Sequence, residues 1–339
     1  MSAQASLHPP VVPLVAGPSA WRGADLLRHD GWSHALTPAD IEELATALAG
    51  VRDRGLGTTT MMRENFPLPL LAPRLAAWLR EVRTCRGFFV LRGLPADRFD
   101  EPAREAIFWG IGTHLGHAVS QNSHGDLLGH VADQGRTYGA ANTRGYQTRA
   151  RLDFHTDRCD LVGLLCQHQA REGGLSSVVS TMAVHDEILR SRPDLLPILY
   201  RGFHYSEREA ADNPAGVSPR PIPVFSRNGA VVSCRFIRNP IETAAERRGV
   251  PLTEPERQAL ELMSTLSARD DMRLDMMLEP GDMQFCNNYV TAHARTEFAD
   301  WPETERRRLM VRLWLSFAER RKLAPEFGEH DGIPAAPAA

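Results

Sequence analysis

Hydrophobic positions recur at helical spacing in three segments of the first third of the chain. Thr37 followed by Pro38 is a typical helix start, and the residues after them keep this spacing. The same spacing predicts helices over residues 71–82 and 101–116. Between these two helices, a short apolar run at residues 87–95 is bounded by Gly and Pro and predicts a buried strand.

From about residue 127 onward, the pattern changes to short runs of strand length. Gly, Pro and Asn turns separate these runs, and helical stretches at about 182–200 and 253–268 interrupt them. The predicted strands cover residues 127–131, 152–157, 161–168, 177–180, 223–225, 231–237, 283–287 and 309–317. Many short strands between turns are typical of a β-sandwich or a jelly roll, so we expect one of these folds.

Composition and charge exclude several classes of function. The 339 residues are 42% hydrophobic, and 39 basic against 42 acidic residues give a formal charge of −3. This balance gives no support to nucleic-acid or membrane-surface binding. No apolar run approaches the ~20 residues that span a bilayer, and no signal peptide is expected. Five cysteines without a Cys-x-x-Cys pair indicate free thiols, so we expect a cytoplasmic protein.

The segment RLDFHTDRCD, residues 151–160, places two possible metal ligands on a predicted strand. His155 and Asp157 are two positions apart and would point to the same face of that strand. An imidazole and a carboxylate can supply two members of the 2-His-1-carboxylate triad that binds Fe(II). A second His-x-Asp pattern, His124 and Asp126, lies among Asn, Ser and Gly and favours a turn. Either pair alone also fits a solvated or hydrogen-bonded His and Asp.

A third ligand is available after the predicted strand at residues 283–287. His293 follows that strand closely, although a surface histidine in a loop would give the same pattern. Arg308 and Arg312 lie four positions apart in an otherwise apolar strand, where an arginine is costly unless an anion meets it. Arginine binds carboxylates through two hydrogen bonds and suits a dicarboxylate co-substrate. The alternative is an arginine paired with a structural Asp or Glu.

Together these segments resemble the TauD/TfdA family of Fe(II)- and 2-oxoglutarate-dependent dioxygenases, within the clavaminate-synthase-like superfamily. The matching pieces are FHTD at 154–157, AREGGLSS at 170–177, PGDMQFCNNYVTAHAR at 280–295, RRRLMVRLWLS at 306–316 and GFFVLRGLP at 87–95. The resemblance implies a mainly β fold with flanking helices, of the α+β class. Its core would be a double-stranded β-helix, the jelly roll that cupins also have.

The resemblance also implies a domain organisation. A single dioxygenase domain would cover residues 21–325, with the jelly-roll core at about 85–318 and a helical insertion at about 182–268. Residues 1–20 and 326–339, rich in Pro and small residues, are expected to form flexible tails.

By the same resemblance, His155, Asp157 and His293 correspond to the iron ligands of the family. The implied cofactors are Fe(II), 2-oxoglutarate as co-substrate and O2. The implied reaction oxidises, and by default hydroxylates, an unactivated C–H bond of a small polar metabolite such as an amino acid or a derivative. Succinate and CO2 are the other products.

Further positions correspond to residues that bind the co-substrate. Arg308 matches the arginine that binds the distal carboxylate of 2-oxoglutarate, and Ser176 matches a threonine that hydrogen-bonds the same group. Ser177, its neighbour, is an alternative for that role. Arg312 matches an arginine that contacts substrate or co-substrate in some members, and its role stays open.

Residues that would contact the substrate are predicted only from their positions in the sequence. They are Gln121, Asn122, Arg144 and Arg295, and for each of them hydrogen bonding within a loop is the competing interpretation. The expected partner is a small molecule, with neither nucleic acid nor a membrane. Dimers or tetramers are common in the family, so a homo-oligomer is compatible with the resemblance.

Two other functions fit parts of the pattern. A zinc-dependent hydrolase on a cupin-like barrel would need a general acid or base near the metal and no dedicated dicarboxylate arginine, so Arg308→Ala would leave it active. A catalytically silent metal-binding barrel is the second alternative.

Overall fold

The computed structural model describes residues 13–136, 147–207, 216–328 and 330–335. The α-helices of this part are Gly23–Leu26 (α1), Pro38–Asp53 (α2), Ala72–Thr84 (α3), Glu101–Leu115 (α4), Thr181–Ser191 (α5), Leu196–Arg201 (α6), Arg238–Arg248 (α7) and Glu254–Ala268 (α8). Within the described ranges, no helix has both the length and the apolar character needed to cross a bilayer.

The strands of the described part are short, and most pair with strands distant in sequence. They are Ser33–Ala35 (β1), Phe88–Arg92 (β2), His117–Ala118 (β3), Leu128–Val131 (β4), Leu152–His155 (β5), Leu161–His168 (β6), Glu172–Gly173 (β7), Ser176–Ser180 (β8), Phe225–Asn228 (β9), Val231–Cys234 (β10), Arg273–Met276 (β11), Met283–Asn287 (β12), Thr291–Arg295 (β13), Phe298–Ala299 (β14) and Leu309–Ser316 (β15).

Side-chain caps set the beginnings of two predicted helices. Thr37 and Asp40 form a capping box at the start of α2, in which the Asp40 amide donates to Thr37 Oγ1 at 3.2 Å. Asp100 caps α4 by accepting a hydrogen bond from the Ala103 amide at 2.9 Å. α3 has no side-chain cap and carries Pro73 in its first turn. The helices predicted over residues 71–82 and 101–116 are confirmed as α3 and α4.

Two sheets enclose the core of a jelly roll. The larger sheet has the strand order β1-β2-β12-β6-β15-β3, with β4 also paired to β15, and the smaller sheet has the order β11-β8-β13-β5. One buried cluster joins their inner faces, since it contains Phe88, Val162 and Met310 from the larger sheet and Val178 and Leu274 from the smaller one. This arrangement confirms the predicted double-stranded β-helix.

Helices cover the outer face of each sheet. The cluster outside the larger sheet contains residues of α2, α3 and α4, and the cluster outside the smaller sheet contains residues of α5, α6 and α8. Gly163 on β6 permits close packing of α4 on the larger sheet, because a Cβ there would lie 2.9 Å from ring atoms of both Phe108 and Phe285. The segment predicted as a helical insertion, 182–268, contains α5 to α8 and the β9–β10 hairpin.

Parts of both segments expected to be flexible tails pack against the domain. The amides of Val15 and Ala16 donate to the carboxylate of Asp186 at 2.7 and 3.2 Å. Near the other end, Phe327 and His330 are buried, with their ring centroids 5.3 Å apart. The tail expectation is corrected for these residues, because buried rings and a buried carboxylate hold them. Residues 1–12, 329 and 336–339 lie outside the described ranges.

Candidate metal centre

Two histidines face each other across the antiparallel pair β5 and β13. His155 ends β5 and pairs in register with His293, and their ring centroids lie 4.3 Å apart. Asp157 follows two positions after His155, as the predicted strand alternation requires. The ligand atoms of the three residues all lie within 4.8 Å of one another. Two imidazoles and one carboxylate at this separation can hold a single metal ion.

Both histidines present a ring nitrogen that a metal can use. His155 Nδ1 lies 2.8 Å from the carbonyl oxygen of Asp153, which can only accept, so Nδ1 carries the proton and Nε2 keeps its lone pair. Burial lowers the pKa of His293 to about 3, and His155 contributes to the decrease. The His293 imidazole is therefore neutral at physiological pH, which is the form that binds a metal.

Three side chains hold the carboxyl group of Asp157 and its backbone. Trp314 Nε1 donates to Asp157 Oδ2 at 3.0 Å, Arg312 Nη1 lies 3.7 Å from Oδ1, and the Asp157 amide donates to Asn288 Oδ1 at 2.9 Å. Burial alone would raise the pKa of Asp157, but the charge of Arg312 and the hydrogen bond from Trp314 keep it below its ordinary value. The carboxylate therefore stays ionised inside the protein.

Arg312 is itself held by a buried glutamine. Its Nε donates to Gln121 Oε1 at 2.7 Å, while Gln121 Nε2 donates to the carbonyl oxygens of Leu127 and Arg312, each at 2.9 Å. Gly129 leaves room for this amide, because a Cβ there would lie 2.8 Å from Gln121 Oε1. The predicted contact of Gln121 with substrate stays a prediction, and the hydrogen bonds give Gln121 a positioning role toward Arg312.

Arg308 and Ser176 lie on the inner surface of the jelly roll. In the described part of the chain, Arg308 Nη1 is buried without a hydrogen-bond partner, and burial lowers the pKa of Arg308 to about 10. Ser176 Oγ donates to Gln284 Oε1 at 2.8 Å. Ser177 points to the opposite face, where its Oγ donates to Asp275 Oδ1 at 2.5 Å. Strand alternation therefore places Ser176, and not Ser177, on the side of the metal ligands.

The remaining predicted substrate contacts fall in different environments. Asn122 accepts hydrogen bonds from the His124 amide and donates to the Asp126 carboxylate at 2.8 Å, which confirms a turn for the second His-x-Asp pattern. Arg295 lies on β13 two positions after His293 and is buried. Arg144 lies outside the described residues.

Trp314 and Asn288, which hold Asp157, were not predicted from the sequence. Trp314 shares a face of β15 with Arg312. The spacing of two between them was a usable signal, because alternate residues of a strand line one surface. Asn288 follows β12 in a turn and carries no comparable signal.

The fold and the His-Asp-His donor set together define a jelly-roll metalloenzyme. A comparison with protein-family models finds that residues 52–314 match the family described as "Taurine catabolism dioxygenase TauD, TfdA family". This match covers most of the chain. The chain belongs to the TauD/TfdA family, and it is an Fe(II)- and 2-oxoglutarate-dependent dioxygenase.

Individual proteins are similar to the chain over nearly its whole length. FR-33289 synthase from Streptomyces rubellomurinus is 30% identical over 321 residues, which are 93% of this chain and 94% of that protein. A structure of asparagine oxygenase with Fe(II), 2S,3S-3-hydroxyasparagine and succinate has a TM-score of 0.67 at 20% identity, over 91% of this chain and 100% of that chain. A structure of the non-heme iron oxygenase OrfP with Fe, succinate and (3S)-hydroxy-L-Arg has a TM-score of 0.60 at 14% identity, over 84% of this chain and 94% of that chain.

Proposed function

We propose that this dioxygenase hydroxylates an unactivated C–H bond of a free amino acid or of a small amino acid derivative. The observation that carries the proposal is the His155, Asp157 and His293 cluster, with ligand atoms within 4.8 Å, inside a jelly roll of the dioxygenase family. Two structures similar in fold are named with hydroxylated asparagine and hydroxylated arginine beside iron and succinate. Those names support an amino-acid-like substrate.

In this proposal, His155, Asp157 and His293 are the iron ligands. The donor set fits Fe(II), since two neutral imidazoles and one ionised carboxylate leave further positions of the metal open. Iron bound there, together with 2-oxoglutarate and O2, supplies the oxidant for the C–H bond, with succinate and CO2 as products. Trp314 orients Asp157 through its 3.0 Å hydrogen bond, so the carboxylate has a fixed direction before the metal binds.

Arg308 and Ser176 receive the distal carboxylate of the co-substrate. A buried guanidinium group with an unpartnered N–H suits an anion, because a charge-assisted hydrogen bond removes the cost of burying that group. Ser176 contributes a hydroxyl on the same inner surface, and its O–H, which donates to Gln284 Oε1 in this structure, would turn to donate to the carboxylate. Arg312 keeps Asp157 ionised and adds positive charge beside the metal, where carboxylates of co-substrate and substrate would bind.

The apolar interior protects the reacting centre from water. Val178 is the neighbour of His293 across β8 and β13, and it belongs to the buried cluster between the two sheets. Shielding by such residues limits side reactions and strengthens the electrostatic contacts around the metal. The protein therefore supplies orientation and a dry cavity, while the bound groups supply the chemistry.

An anaerobic titration tests the proposal. Fe(II) and then 2-oxoglutarate are added to the metal-free protein while the weak visible charge-transfer band is recorded. We expect a band in the wild type, a weaker band in Arg308→Ala and none in His293→Ala. Arg307→Ala, an exposed neighbour of Arg308, is the matched control and should keep the band. Metal binding without a band in the wild type would contradict the proposal and favour the zinc-hydrolase or silent-barrel alternatives.

Succinate release then identifies the substrate class. The metal-loaded protein is incubated with 2-oxoglutarate, O2 and each of the free amino acids, and succinate formed above the substrate-free background is measured. We expect stimulation by at least one amino acid or N-acylated derivative. Stimulation only by compounds without an amino acid skeleton would overturn the substrate part of the proposal while leaving the reaction type intact.

The cellular setting follows from the same chemistry. We infer a cytoplasmic enzyme, because its five cysteines are free thiols and its expected partner is a small molecule. We also infer a single catalytic domain over about residues 21–325. A dimer or tetramer stays a prediction, which light scattering of the purified protein tests.

A further inference from the structure

Two buried arginines share one aromatic ring next to the metal ligands. The guanidinium carbon of Arg295 lies 4.7 Å from the Phe298 ring centroid, and that of Arg308 lies 5.2 Å from it. Arg295 is 5% exposed and Arg308 is 6% exposed, so both charges are withdrawn from water. Burying a guanidinium group is costly unless an anion or several acceptors meet it.

The donors of these arginines are only partly used. Arg295 Nη2 donates to the carbonyl oxygens of Thr148, at 2.8 Å, and of Ala150. Its Nε and Nη1 are buried and find no partner among the residues that the structure describes, and the same holds for Arg308 Nη1. Three buried N–H-bearing nitrogens on two neighbouring side chains are therefore available to one ligand.

Neighbouring acidic residues leave these donors unused. Asp300 lies beside the pair: its Oδ1 accepts a hydrogen bond from the Arg308 amide at 2.7 Å, and its Oδ2 is buried without a partner in the described structure. Asp133 is a second acidic neighbour of Arg295. The pair therefore offers a ligand its unused donors and not a surplus of positive charge.

Strand register places Arg295 beside the proposed distal-carboxylate site. Arg295 on β13 is the partner of Ser176 on β8, so both side chains rise from the same face of the smaller sheet. His293 lies two positions earlier on that face. The end of the co-substrate farther from the metal would thus meet Ser176 and Arg295 together.

We propose that Arg295 is a second co-substrate arginine, which binds the distal carboxylate of 2-oxoglutarate together with Arg308 and at the same time fixes the backbone of residues 148–150. The inference rests on the proposed function, since it requires 2-oxoglutarate at this site. It assigns Arg295 to the co-substrate instead of the substrate. The carboxylate would use the buried donors that the surrounding residues leave without a partner.

The test compares two 2-oxo acids that differ at the distal end. Anaerobic calorimetry of the Mn(II)-loaded protein measures Kd for 2-oxoglutarate and for 2-oxopentanoate, which has the same chain length without the distal carboxylate. We expect Arg295→Gln to raise Kd for 2-oxoglutarate by about tenfold to a hundredfold, the range for a charge-assisted hydrogen bond. Kd for 2-oxopentanoate should change less than about threefold, because a ligand without the carboxylate makes no such bond.

Two further variants separate binding from folding. Arg295→Lys keeps the charge and loses the planar fork, so we expect an intermediate increase in Kd for 2-oxoglutarate. Arg307→Gln changes an exposed arginine next to Arg308 and should leave both constants unchanged. Equal weakening of both oxo acids by Arg295→Gln would show that Arg295 serves only the fold, and no weakening of either would show that it does not touch the co-substrate. Both results overturn the inference.

The wild-type result distinguishes this inference from the proposed function. If the wild type binds 2-oxoglutarate no better than 2-oxopentanoate, the distal-carboxylate site itself is absent and the proposed function of Arg308 fails. A second outcome has three parts: the wild type prefers 2-oxoglutarate, Arg308→Gln removes that preference, and Arg295→Gln keeps it. In that case Arg308 acts alone, and only the role of Arg295 is overturned.

Discussion

The indole Nε1 of Trp314 donates a hydrogen bond to Oδ2 of Asp157 at 3.0 Å. The same oxygen lies 3.6 Å from His293 Nε2. Trp314 on β15 therefore holds Asp157 Oδ2 near His293. A ligand with a fixed orientation needs less rearrangement when the metal binds. The tryptophan thus belongs to the metal centre although it never touches the metal.

Replacing this tryptophan should weaken metal binding. Trp314→Phe keeps an aromatic ring in the core and removes the donor to Asp157, so we expect an increase of about 10–100-fold in the Kd for Fe(II) or Mn(II). Competition with a metal-binding dye measures it. Trp301→Phe, at a half-exposed tryptophan stacked under Arg306, is the control and should leave Kd unchanged. An unaltered Kd in Trp314→Phe would argue that Asp157 needs no external orientation.

Removing the amide of Gln121 should destabilise the protein. Gln121→Leu leaves Arg312 Nε and two carbonyl oxygens without their buried partner, and we expect a loss of about 1–3 kcal/mol in the free energy of unfolding. Urea denaturation measures this loss. Gln258→Leu, at an exposed position of α8, is the control and should change stability by less than about 0.5 kcal/mol.

Asp40 should make a pH-dependent contribution to stability. Burial raises the pKa of Asp40, but hydrogen bonds from Thr37 and Arg74 lower it further, so that the pKa lies below its value of 3.8 in the unfolded chain. A depressed folded-state pKa means that the contribution is complete above about pH 4 and disappears as pH falls through the folded-state pKa. At pH 7, Asp40→Asn should cost about 1–2 kcal/mol, because it removes the charge that strengthens the hydrogen bonds from Thr37 and Arg74.

Denaturation at several pH values checks whether the stabilisation by Asp40 decreases on acidification. The difference between wild type and Asp40→Asn should shrink steadily below pH 4. The exposed Asp53→Asn at the end of α2 serves as the comparison. A difference that grows on acidification would contradict the assignment.

Gly163 should not tolerate a side chain. Gly163→Ala would place a Cβ 2.9 Å from both Phe108 and Phe285, in the cluster between α4 and the larger sheet. Overpacking of this kind costs about 1–3 kcal/mol. Thermal unfolding should show a lower Tm for this variant. Gly50→Ala in α2 meets nothing closer than 3.9 Å and should be neutral or stabilising, because alanine favours a helix.

Two strands could be predicted from the sequence at their observed bounds. β6 and β12 are apolar runs between turn residues, and both begin and end where the pattern indicates. β13 was missed as a strand because Thr291, His293 and Arg295 break the hydrophobic alternation with polar side chains on the inner face. Polar residues that serve a site resemble a loop when only the sequence is available.

The choice between neighbouring candidates also needed the structure. Ser176 and Ser177 are chemically equivalent in the sequence, and only the register of β8 against β13 and β11 decides which one points inward. The sequence indicated a buried positive charge at Arg308, whereas Arg295 was only a candidate substrate contact because it follows His293 closely. Their common contact with Phe298 depends on the packing of β14 between those segments and has no signal in the spacing.

The insertion between β8 and β11 has a consequence for the order of folding. β8 and β11 pair although their bonded residues Ser177 and Asp275 are 98 positions apart, and Trp314 reaches Asp157 across 157 positions. Closing such long loops is slow, since their entropy is lost before the contacts form. We therefore expect the metal centre to be assembled among the last parts of the molecule, so that iron enters a nearly finished protein instead of nucleating it.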